Sequence, residues 1–288
     1  MDNKTPVLLD GKALSAKVRA ELSAEARKNA EKYGRPPCLV VILVGEDPAS
    51  QIYVRNKEKA CEDIGYQSRM IVLPTETSED ELLALIDELN ADKGVDGILV
   101  QSPLPKQIDA HKVAVRIAPE KDVDAFHPAN VGLIALGRND GFKPCTPAGV
   151  IRLLKEYNIP IAGKDCVVVG RSNIVGKPMA LLLISEGATV TVCNSKTKDL
   201  GKKTSEADIL VVAVGKAGLI TADMVKEGAV VVDVGMNRSE GKLCGDVAFD
   251  EVAPKCSYIT PVPGGVGPMT IAMLMENALK SQELNQRD

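Results

Sequence analysis

The stretch CVVVGRSNIVGKPMALLLISEG, residues 166–187, decides the fold class of this sequence. It opens with a short β-branched run typical of a buried parallel strand and ends with a run of helix-forming residues. A turn bounded by Gly170 and Gly176 joins the two. A strand, a tight glycine turn and a helix make up the first unit of a doubly wound sheet, in which the helix N-terminus faces an anionic ligand.

The turn differs from two phosphate-binding motifs that it resembles. Ser172 stands where the second glycine of a GxGxxG dinucleotide motif belongs. Five residues, instead of the four of a P-loop, separate Gly170 from Gly176, and Pro178 follows Lys177 where a P-loop has Ser or Thr. We favour a dinucleotide site over an ATP site, because the turn still directs backbone N–H groups and a helix N-terminus at an anion.

The segment after the next predicted strand indicates which dinucleotide is bound. An NAD site usually places Asp or Glu there to bind the ribose hydroxyls. Here the segment offers Asn194, Ser195 and Lys196 and no carboxylate, and Arg171 adds a cation in the first turn. Donors and cations in place of an acid favour NADP, whose 2′-phosphate a carboxylate would repel. Each segment alone also fits a plain turn or a solvated loop, but the two in this order favour a nucleotide site.

Short β-branched runs alternate with helical patterns along the whole chain. This alternation predicts βαβ units with buried parallel strands, so the predicted fold class is α/β. A proline- and glycine-rich stretch at 119–147 separates two such alternations and predicts two domains. A connecting helix is predicted near 147–157, with Thr146 as its cap, and an amphipathic helix ends the chain. The predicted strands lie at 38–45, 68–73, 96–101, 165–170, 188–194, 207–215, 228–235 and 257–265.

Composition and charge argue against several classes of function. A net charge of −4 and a pI near 5.5 disfavour a nucleic-acid-binding surface. No run of about 18 apolar residues predicts a membrane span, and the sequence does not begin with a pattern typical of a secretory signal. Seven scattered cysteines favour reduced thiols in the cytoplasm over a disulfide framework. With only two histidines, a metal centre is disfavoured.

A helix is predicted over 50–64, with Ser50 as its cap, and its inward-facing stripe contains one cation, Lys57. One interpretation is a snorkelling lysine, whose stem is buried and whose ammonium stays in water. The other is a partly desolvated lysine that exchanges protons at a cleft. The helix alone does not decide between them. The stripe consists of Tyr53, Lys57, Ala60, Cys61 and Ile64.

Further polar residues lie at two places where a ligand contact is expected. Gln101 ends a predicted strand, and ligands commonly bind at the carboxyl ends of parallel strands. Asp122 and Asp124 flank Val123 in a stretch expected to line the gap between the domains. In an extended segment the two aspartates point the same way, so spacing leaves open which of them faces a site. A polar strand end and two loop-capping aspartates are the simpler alternatives.

Six stretches, in their order along the chain, resemble one family. They are similar to the bifunctional 5,10-methylene-tetrahydrofolate dehydrogenase/5,10-methenyl-tetrahydrofolate cyclohydrolase family in its bacterial form. The resemblance extends over nearly the whole chain, and the combination of stretches is specific although each is short. The stretches are YVRNKEKACEDIG (53–65), GILVQSPLP (97–105), PEKDVDAFHP (119–128), PCTPAGV (144–150), VVGRSNIVGKP (168–178) and TPVPGGVGPMT (260–270).

This resemblance implies an NADP-dependent enzyme of one-carbon metabolism, on the route to purines. Such an enzyme oxidises 5,10-methylene-tetrahydrofolate and hydrolyses the 5,10-methenyl product to 10-formyl-tetrahydrofolate. The implied architecture is a homodimer of chains with two α/β domains and a folate cleft between them. The expected catalytic, folate-binding domain spans 1–122 and is joined by the last helix, 268–285. The expected Rossmann-like NADP-binding domain spans 123–267.

The resemblance also implies roles for individual residues. Lys57 and Tyr53 match the catalytic lysine and tyrosine of the family, and Gln101 matches the glutamine that partners the lysine. Asp124 matches the residue that binds the pterin ring. Met236 stands where the family usually has isoleucine. Further folate contacts are expected at Tyr53, Pro263, Gly264 and Gly265, and NADP contacts at Gly170, Arg171, Ser172, Ser195 and Met236.

One position departs from the family pattern. Asn194 stands where the family commonly has histidine, between Cys193 and Ser195. The cations Arg171 and Lys196 remain, so NADP stays favoured over NAD by a smaller margin.

Two other functions fit parts of the sequence. A dehydrogenase that uses NADP on another small metabolite would explain the nucleotide half. A nucleotide-sensing or scaffold domain would explain the glycine-ended strands, but it would leave Lys57, Gln101 and Asp124 without a common purpose.

Overall fold

The chain divides into two compact units, each built around a parallel sheet. The computed structural model describes residues 5–138, 140–239 and 241–286. Unit 1 comprises Met1–Ser15 and Thr146–Thr270, and unit 2 comprises Ala16–Cys145 and Ile271–Asp288. Helices alternate with strands in both units, so the predicted α/β fold class is confirmed.

The secondary-structure elements are numbered in chain order. The strands are β1 (Val7–Leu8), β2 (Cys38–Val44), β3 (Gln67–Leu73), β4 (Gly97–Val100), β5 (Asp165–Val169), β6 (Thr189–Cys193), β7 (Ile209–Val212), β8 (Val230–Asp233), β9 (Asn237–Ser239), β10 (Lys242–Cys244) and β11 (Tyr258–Ile259). The helices are α1 (Gly11–Tyr33), α2 (Pro48–Ile64), α3 (Glu79–Ala91), α4 (Ala110–Arg116), α5 (Pro128–Ala135), α6 (Cys145–Glu156), α7 (Gly176–Ser185), α8 (Leu200–Thr204), α9 (Phe249–Val252) and α10 (Val266–Asn285).

Unit 2 contains a three-stranded parallel sheet in the order β3-β2-β4. The central strand β2 is buried along its whole length, which explains its continuous apolar run. The prediction that 68–73 forms a buried strand is wrong in its burial. β3 lies at the edge of the sheet, and Met70 and Val72 are exposed. An apolar run predicts a strand, but the strand order decides whether it is central or at an edge.

Unit 1 contains a six-stranded parallel sheet in the order β1-β11-β8-β7-β5-β6. All five strands predicted in the second half of the chain are present in this sheet, and each is shorter than predicted. β5 lies between β6 and β7, so the chain reverses its direction of winding at β5. Ligands of doubly wound sheets bind at such a reversal, outside the carboxyl ends of the strands. An antiparallel hairpin of β9 and β10 follows β8 and was not predicted.

The beginnings of α2 and α6 test the predicted caps, and α3 has a cap of a different kind. The predicted cap of α2, Ser50, is wrong, because the helix begins at Pro48 and the Asp47 carboxylate accepts from the Ser50 N–H at 2.8 Å. Thr146 is likewise not a cap, because α6 already begins at Cys145. At α3 a capping box is formed: the Ser78 side chain accepts from the Glu81 N–H, and the Glu81 side chain accepts from the Ser78 N–H.

The observed units and the predicted domain ranges differ in two segments. The chain start, Met1–Ser15, belongs to unit 1, where β1 pairs with β11. Residues 123–145 belong to unit 2, where the Val123 carbonyl accepts a hydrogen bond from the Asn277 side chain at 2.8 Å. The catalytic and cofactor-binding roles of the two predicted ranges stay predictions.

Candidate active site

In unit 2, a lysine on helix α2 meets a glutamine at the end of strand β4. The Gln101 N–H donates to the Ile42 carbonyl at 2.8 Å, which holds this strand end against β2. Gln101 Oε1 accepts a hydrogen bond of 2.8 Å from Lys57 Nζ, and Gln101 Nε2 donates to the Ser102 carbonyl at 2.7 Å. Because both ends of the amide have partners, it is held in one orientation and presents its oxygen to the lysine.

The inward stripe of α2 is buried at its C-terminal end and open at its N-terminal end. Lys57 is half-buried, and Tyr53, one helical turn before it, is 41% exposed. A snorkelling lysine keeps its ammonium in water, whereas Lys57 has the oriented amide of Gln101 within hydrogen-bond distance. The local geometry therefore favours the functional interpretation of Lys57. The buried members of the stripe are Ala60, Cys61 and Ile64.

The two aspartates of the DVD sequence have different surroundings. Asp122 is buried, and its Oδ2 accepts from the His127 N–H at 2.7 Å and from Asn130 Nδ2 at 2.9 Å. These bonds hold the turn that leads into α5, so Asp122 has a structural role. Asp124 is only half-buried, and its Oδ1 lies 3.9 Å from Cys145 Sγ. Asp124 is therefore the better candidate for a ligand contact.

Burial controls the electrostatics around Asp124. Burial raises the pKa of Asp124 to about 6, against the opposing attraction of the Lys57 ammonium, and the charge of Asp122 adds to the rise. Burial also raises the pKa of the Cys145 thiol well above its usual range, so this thiol stays protonated at neutral pH. At neutral pH the group thus contains a carboxylate, a lysine and a fixed amide. Such a group fits a substrate that has ring N–H donors and a proton to transfer.

In unit 1, the turn after β5 brings two glycines into close backbone contact. Gly170 has a φ of +135°, and a Cβ at this position would lie 2.3 Å from the Ala213 carbonyl oxygen. A Cβ on Gly176 would lie 2.2 Å from the Gly170 oxygen. Ser172 Oγ accepts from the N–H groups of Val175 and Gly176, at 3.1 and 3.2 Å. The turn is therefore a backbone cradle at the start of α7, which fits the phosphates of a dinucleotide.

The loop after β6 is a short turn organised by Asn194. The Asn194 Oδ1 accepts from the Lys196 N–H at 2.9 Å, and the Asn194 N–H donates to Thr197 Oγ1 at 2.8 Å. Between these bonds Ser195 is exposed, as is Lys196. Arg171 is exposed in the turn after β5, the strand that pairs with β6. The polar residues predicted for NADP thus follow the carboxyl ends of neighbouring strands.

The remaining predicted contacts also lie in unit 1. Met236 follows β8 and is 44% exposed. Gly264 has a φ of +108°, and its carbonyl accepts from the Lys12 N–H at 2.9 Å. A Cβ on Gly265 would lie 2.7 Å from the Pro261 carbonyl oxygen. The predicted folate contacts are thus divided between the units: Tyr53 and Asp124 lie in unit 2, and Pro263, Gly264 and Gly265 lie in unit 1.

Two buried aspartates in unit 1 are absent from the predicted site residues. Burial raises the pKa of Asp233 to about 6, and its carboxylate accepts three backbone N–H groups. Asp246 is fully buried and accepts from three consecutive N–H groups of the loop after β7, at 2.7 to 3.0 Å. They fix the loops at the carboxyl end of the sheet. In the sequence, the sign of this role is a glycine close to each aspartate. Gly235 follows Asp233 and packs on Asp246, and Gly245 precedes Asp246 and packs on Asp233.

The described residues include neither a metal-binding cluster nor a membrane-spanning helix. Among residues 5–138, 140–239 and 241–286, no three His, Cys, Asp or Glu side chains are grouped so that they could hold a metal ion. No helix in the described part of the chain is long and apolar enough to cross a membrane.

Two family models match the chain. Residues 9–124 match the catalytic domain of tetrahydrofolate dehydrogenase/cyclohydrolase, and residues 144–286 match the NAD(P)-binding domain of the same family. The predicted enzyme class, a tetrahydrofolate dehydrogenase and cyclohydrolase, is confirmed by these matches. The predicted nicotinamide cofactor is confirmed at the level of NAD(P).

Individual relatives are similar over nearly the full length. The bifunctional protein FolD of Cupriavidus taiwanensis is 59% identical over 277 residues, which cover 96% of this chain and 97% of that protein. FolD of Campylobacter hominis is 60% identical over 275 residues, with coverage of 95% and 96%.

Solved structures are similar as well. The crystal structure of the bifunctional enzyme FolD from Campylobacter jejuni has a TM-score of 0.95 and 56% identity, and covers 96% of this chain and 99% of its own. The dehydrogenase-cyclohydrolase of Trypanosoma brucei, complexed with NADP and an inhibitor, has a TM-score of 0.94 and 39% identity, with coverage of 98% and 99%. By its sequence, its fold and its two domain matches, the chain belongs to the tetrahydrofolate dehydrogenase/cyclohydrolase family.

Proposed function

We propose that this chain oxidises 5,10-methylene-tetrahydrofolate with NADP and hydrolyses the resulting 5,10-methenyl-tetrahydrofolate to 10-formyl-tetrahydrofolate, with Lys57, Gln101 and Asp124 as its central residues. The observation that carries the assignment of residues is the 2.8 Å hydrogen bond from Lys57 Nζ to Gln101 Oε1. Asp124 lies close enough to Lys57 for the two charges to attract. A proton-transfer group and a carboxylate acceptor are thus held in one unit.

In the oxidation, the protein holds the folate in one orientation. The Asp124 carboxylate accepts hydrogen bonds from the pterin amino group and a ring N–H, which fixes the ring. Pro263, Gly264 and Gly265 contribute further folate contacts. A methylene C–H bond breaks with both of its electrons, and lone pairs on the two flanking nitrogens stabilise the methenyl cation that forms.

The nucleotide is held by the residues that surround the glycine turn. NADP, when bound, supplies the hydride acceptor. The close backbone contacts at Gly170 and Gly176 leave no room for side chains, so a phosphate can approach the backbone of the turn and the N-terminus of α7. The residues assigned to this cofactor are Gly170, Arg171, Ser172, Ser195 and Met236.

In the hydrolysis, Lys57 moves protons. Water attacks the methenyl carbon, and Lys57 Nζ takes one of its protons. The bond from this carbon to N5 then breaks, Lys57 returns the proton to N5, and the hydroxyl proton goes to solvent. The formyl group remains on N10, and one proton is released overall. Gln101 and Tyr53 orient the lysine during both transfers.

The preference for NADP over NAD rests on charge at the carboxyl ends of β5 and β6. Ser195 and Lys196 are exposed after β6, and Arg171 is exposed after β5. Asn194 supplies no negative charge at the position where an NAD site usually has a carboxylate. These donors and cations match a 2′-phosphate.

The assembly and location of the chain belong to the same proposal. We propose a homodimer, as the family resemblance implies. Sedimentation velocity of the purified chain tests it. A cytoplasmic location is supported by the seven cysteines, which are all free thiols.

One absorbance experiment tests the proposed reaction. The purified chain is mixed with methylene-tetrahydrofolate and NADP, and NADPH and methenyl-tetrahydrofolate are followed together. We expect NADPH to accumulate, and in a parallel sample that starts from methenyl-tetrahydrofolate we expect this compound to be consumed faster than in the control without enzyme. If NADP is not reduced, the chain acts on another metabolite or has no dehydrogenase activity, and the proposal is wrong.

A further inference from the structure

A buried amide on the last helix joins the two backbone segments that surround Asp124. Asn277 lies on α10, in the part of the helix that belongs to unit 2. Its Nδ2 donates to the Val123 carbonyl at 2.8 Å and to the Lys143 carbonyl at 2.9 Å. A side-chain amide has two N–H donors, so both are used on separate segments of the chain.

These bonds act directly on the peptide that carries Asp124. Val123 precedes Asp124, and its carbonyl also lies 3.4 Å from Cys145 Sγ. Lys143 lies two residues before Cys145, whose thiol is 3.9 Å from Asp124 Oδ1. Asn277 Nδ2 itself is 3.7 Å from Cys145 Sγ. The amide therefore fixes both the backbone before Asp124 and the segment that packs against the Asp124 carboxylate.

The neighbouring residues of α10 have other partners. Ser281, one turn further along the helix, is buried, and its hydroxyl lies within hydrogen-bond distance of the Asp96 and Glu120 carbonyl oxygens. The Tyr66 hydroxyl donates to the Met275 carbonyl at 3.2 Å. Asn277 and Ser281 thus each link α10 to two other segments of the chain. Of the two, only Asn277 bonds to the residue next to Asp124. This difference provides a matched control.

We propose that Asn277 is a positioning residue for folate binding, which holds the Asp124 carboxylate in the orientation that the pterin ring requires. This inference rests on the proposed function, because it takes Asp124 as the pterin contact. Asn277 itself does not contact the folate in this proposal and acts through the Val123 and Lys143 carbonyls. Its loss should therefore weaken folate binding without a matching effect on the cofactor.

The first experiment measures KM for both substrates in two variants, Asn277→Leu and Ser281→Ala. Leucine branches at Cγ as asparagine does but has no N–H donors. We expect Asn277→Leu to raise KM for methylene-tetrahydrofolate about tenfold and to change KM for NADP less than twofold. Ser281→Ala, at a similar loss of thermal stability, should change neither KM by more than twofold. Equal changes in both KM values, or no change in either, would overturn the positioning role.

The second experiment does not depend on folate. The Asp124 carboxyl is followed by NMR in chain with 13C-labelled aspartate, assigned with Asp124→Asn, while the pH is varied. The groups that face it are Lys57 on α2, Asp122 in the same segment and Cys145 at the start of α6. We expect Asn277→Leu to shift the titration midpoint of Asp124 by at least half a pH unit and Ser281→Ala to leave it unchanged.

The two experiments separate the two proposals. If wild-type chain does not oxidise methylene-tetrahydrofolate, the proposed function fails, and the titration still decides whether Asn277 positions Asp124. Should Asn277→Leu fail to fold, Asn277→Ser replaces it, because a hydroxyl donates at most one of the two bonds. An unshifted Asp124 midpoint in a folded Asn277 variant overturns the inference in either case.

Discussion

The two parts of the proposed site are built from different groups of the chain. In unit 2 the proposed ligand contacts are side chains: Lys57, Gln101 and Asp124 are held by hydrogen bonds and partial burial. In unit 1 the main proposed contact is backbone, because neither Gly170 nor Gly176 has room for a Cβ. A side-chain site depends on a few functional groups, whereas a backbone site depends on the local shape of the chain.

This difference predicts different costs of mutation. A charged side chain in the unit 2 site is partly removed from water, which costs stability in the free protein. Its removal is therefore expected to reduce function and to preserve or increase stability. A glycine in the unit 1 turn is required for the backbone conformation of that turn, so its replacement reduces both function and stability. The following substitutions test the contrast.

The largest effect is expected from Lys57→Met. This change removes the proton-transfer group and keeps most of the apolar stem, so the cyclohydrolase rate should fall about 10²- to 10⁴-fold. Thermal unfolding should stay within a few degrees of wild type. Lys59→Met, on the exposed side of the same helix, is the matched control and should keep the full rate. Wild-type hydrolysis of methenyl-tetrahydrofolate by Lys57→Met would show that Lys57 is not the proton-transfer group.

Asp124→Asn should reduce function but increase stability, and the increase in stability should depend on pH. In the folded chain the pKa of Asp124 is about 6, above its unfolded value of about 3.9. Ionised Asp124 therefore destabilises the fold. The contribution of Asp124 to the free energy of unfolding is most favourable below about pH 3.9, where the carboxyl is protonated, and is lost as pH rises through 6. At pH 7.5 Asp124→Asn should be more stable than wild type, by up to about 3 kcal/mol, and at pH 3.5 the two should be equal.

The same group sets the pH dependence of folate use. Protonated Asp124 loses acceptor capacity for the pterin N–H groups, so kcat/KM for methylene-tetrahydrofolate should fall below about pH 6 in wild type. Asp124→Asn should have a low kcat/KM at every pH and no such limb. Denaturant unfolding and initial rates at matched pH values measure both effects. If Asp124→Asn is less stable than wild type at pH 7.5, ionised Asp124 does not destabilise the fold as stated above.

Gly170→Ala should reduce function and stability together. Gly170 has a φ of +135°, and the added methyl would lie 2.3 Å from the Ala213 carbonyl oxygen. We expect a loss of about 1–3 kcal/mol in the free energy of unfolding and a rise in KM for NADP. In contrast, a Cβ on Gly132, within helix α5, would meet no atom within 4 Å, so Gly132→Ala should preserve both quantities. If Gly170→Ala binds NADP normally, the turn does not contact the nucleotide.

The contrast also explains what the sequence can and cannot predict. The unit 1 strands and their glycine turns are local patterns, so β5, β6, β7 and β8 were predicted within a few residues of their observed bounds. The Lys57–Gln101 bond joins residues 44 apart, and the Asn277–Val123 bond joins residues 154 apart. Periodicity carries no information about such distances. The first pair was predicted only through the family resemblance, and the second was not predicted.

Two other features were outside the reach of local patterns. The exposure of β3 follows from its place at the edge of the sheet, which an apolar run does not encode. The buried carboxylate of Asp246 accepts N–H groups from a loop about thirty residues earlier in the chain. An aspartate in a glycine-rich stretch is usually a turn residue, and only the folded loop shows that it is a buried acceptor.

The smallest effect is expected from Asn194→Asp, which changes charge and keeps shape. The Asn194 Oδ1 accepts from the Lys196 N–H at 2.9 Å, and a carboxylate oxygen accepts the same bond, so the turn that presents Ser195 is preserved. The added negative charge would lie where we place the 2′-phosphate. At about 4 Å in water two unit charges interact by about 1 kcal/mol, and more beside protein, which corresponds to roughly a tenfold change in affinity. We therefore expect KM for NADP to rise about tenfold and KM for NAD to change little.

Asn194→Ala is the control that separates charge from shape. It removes the acceptor for the Lys196 N–H without adding charge, so it should weaken NADP and NAD to a similar, smaller extent. The ratio of the two KM values then reports on the phosphate alone, and the unfolding midpoint reports on the turn. A KM ratio that is the same in Asn194→Asp and wild type would mean that the 2′-phosphate does not lie at this loop. The unit 1 site would then recognise the cofactor by its backbone turn and not by the charges of this loop.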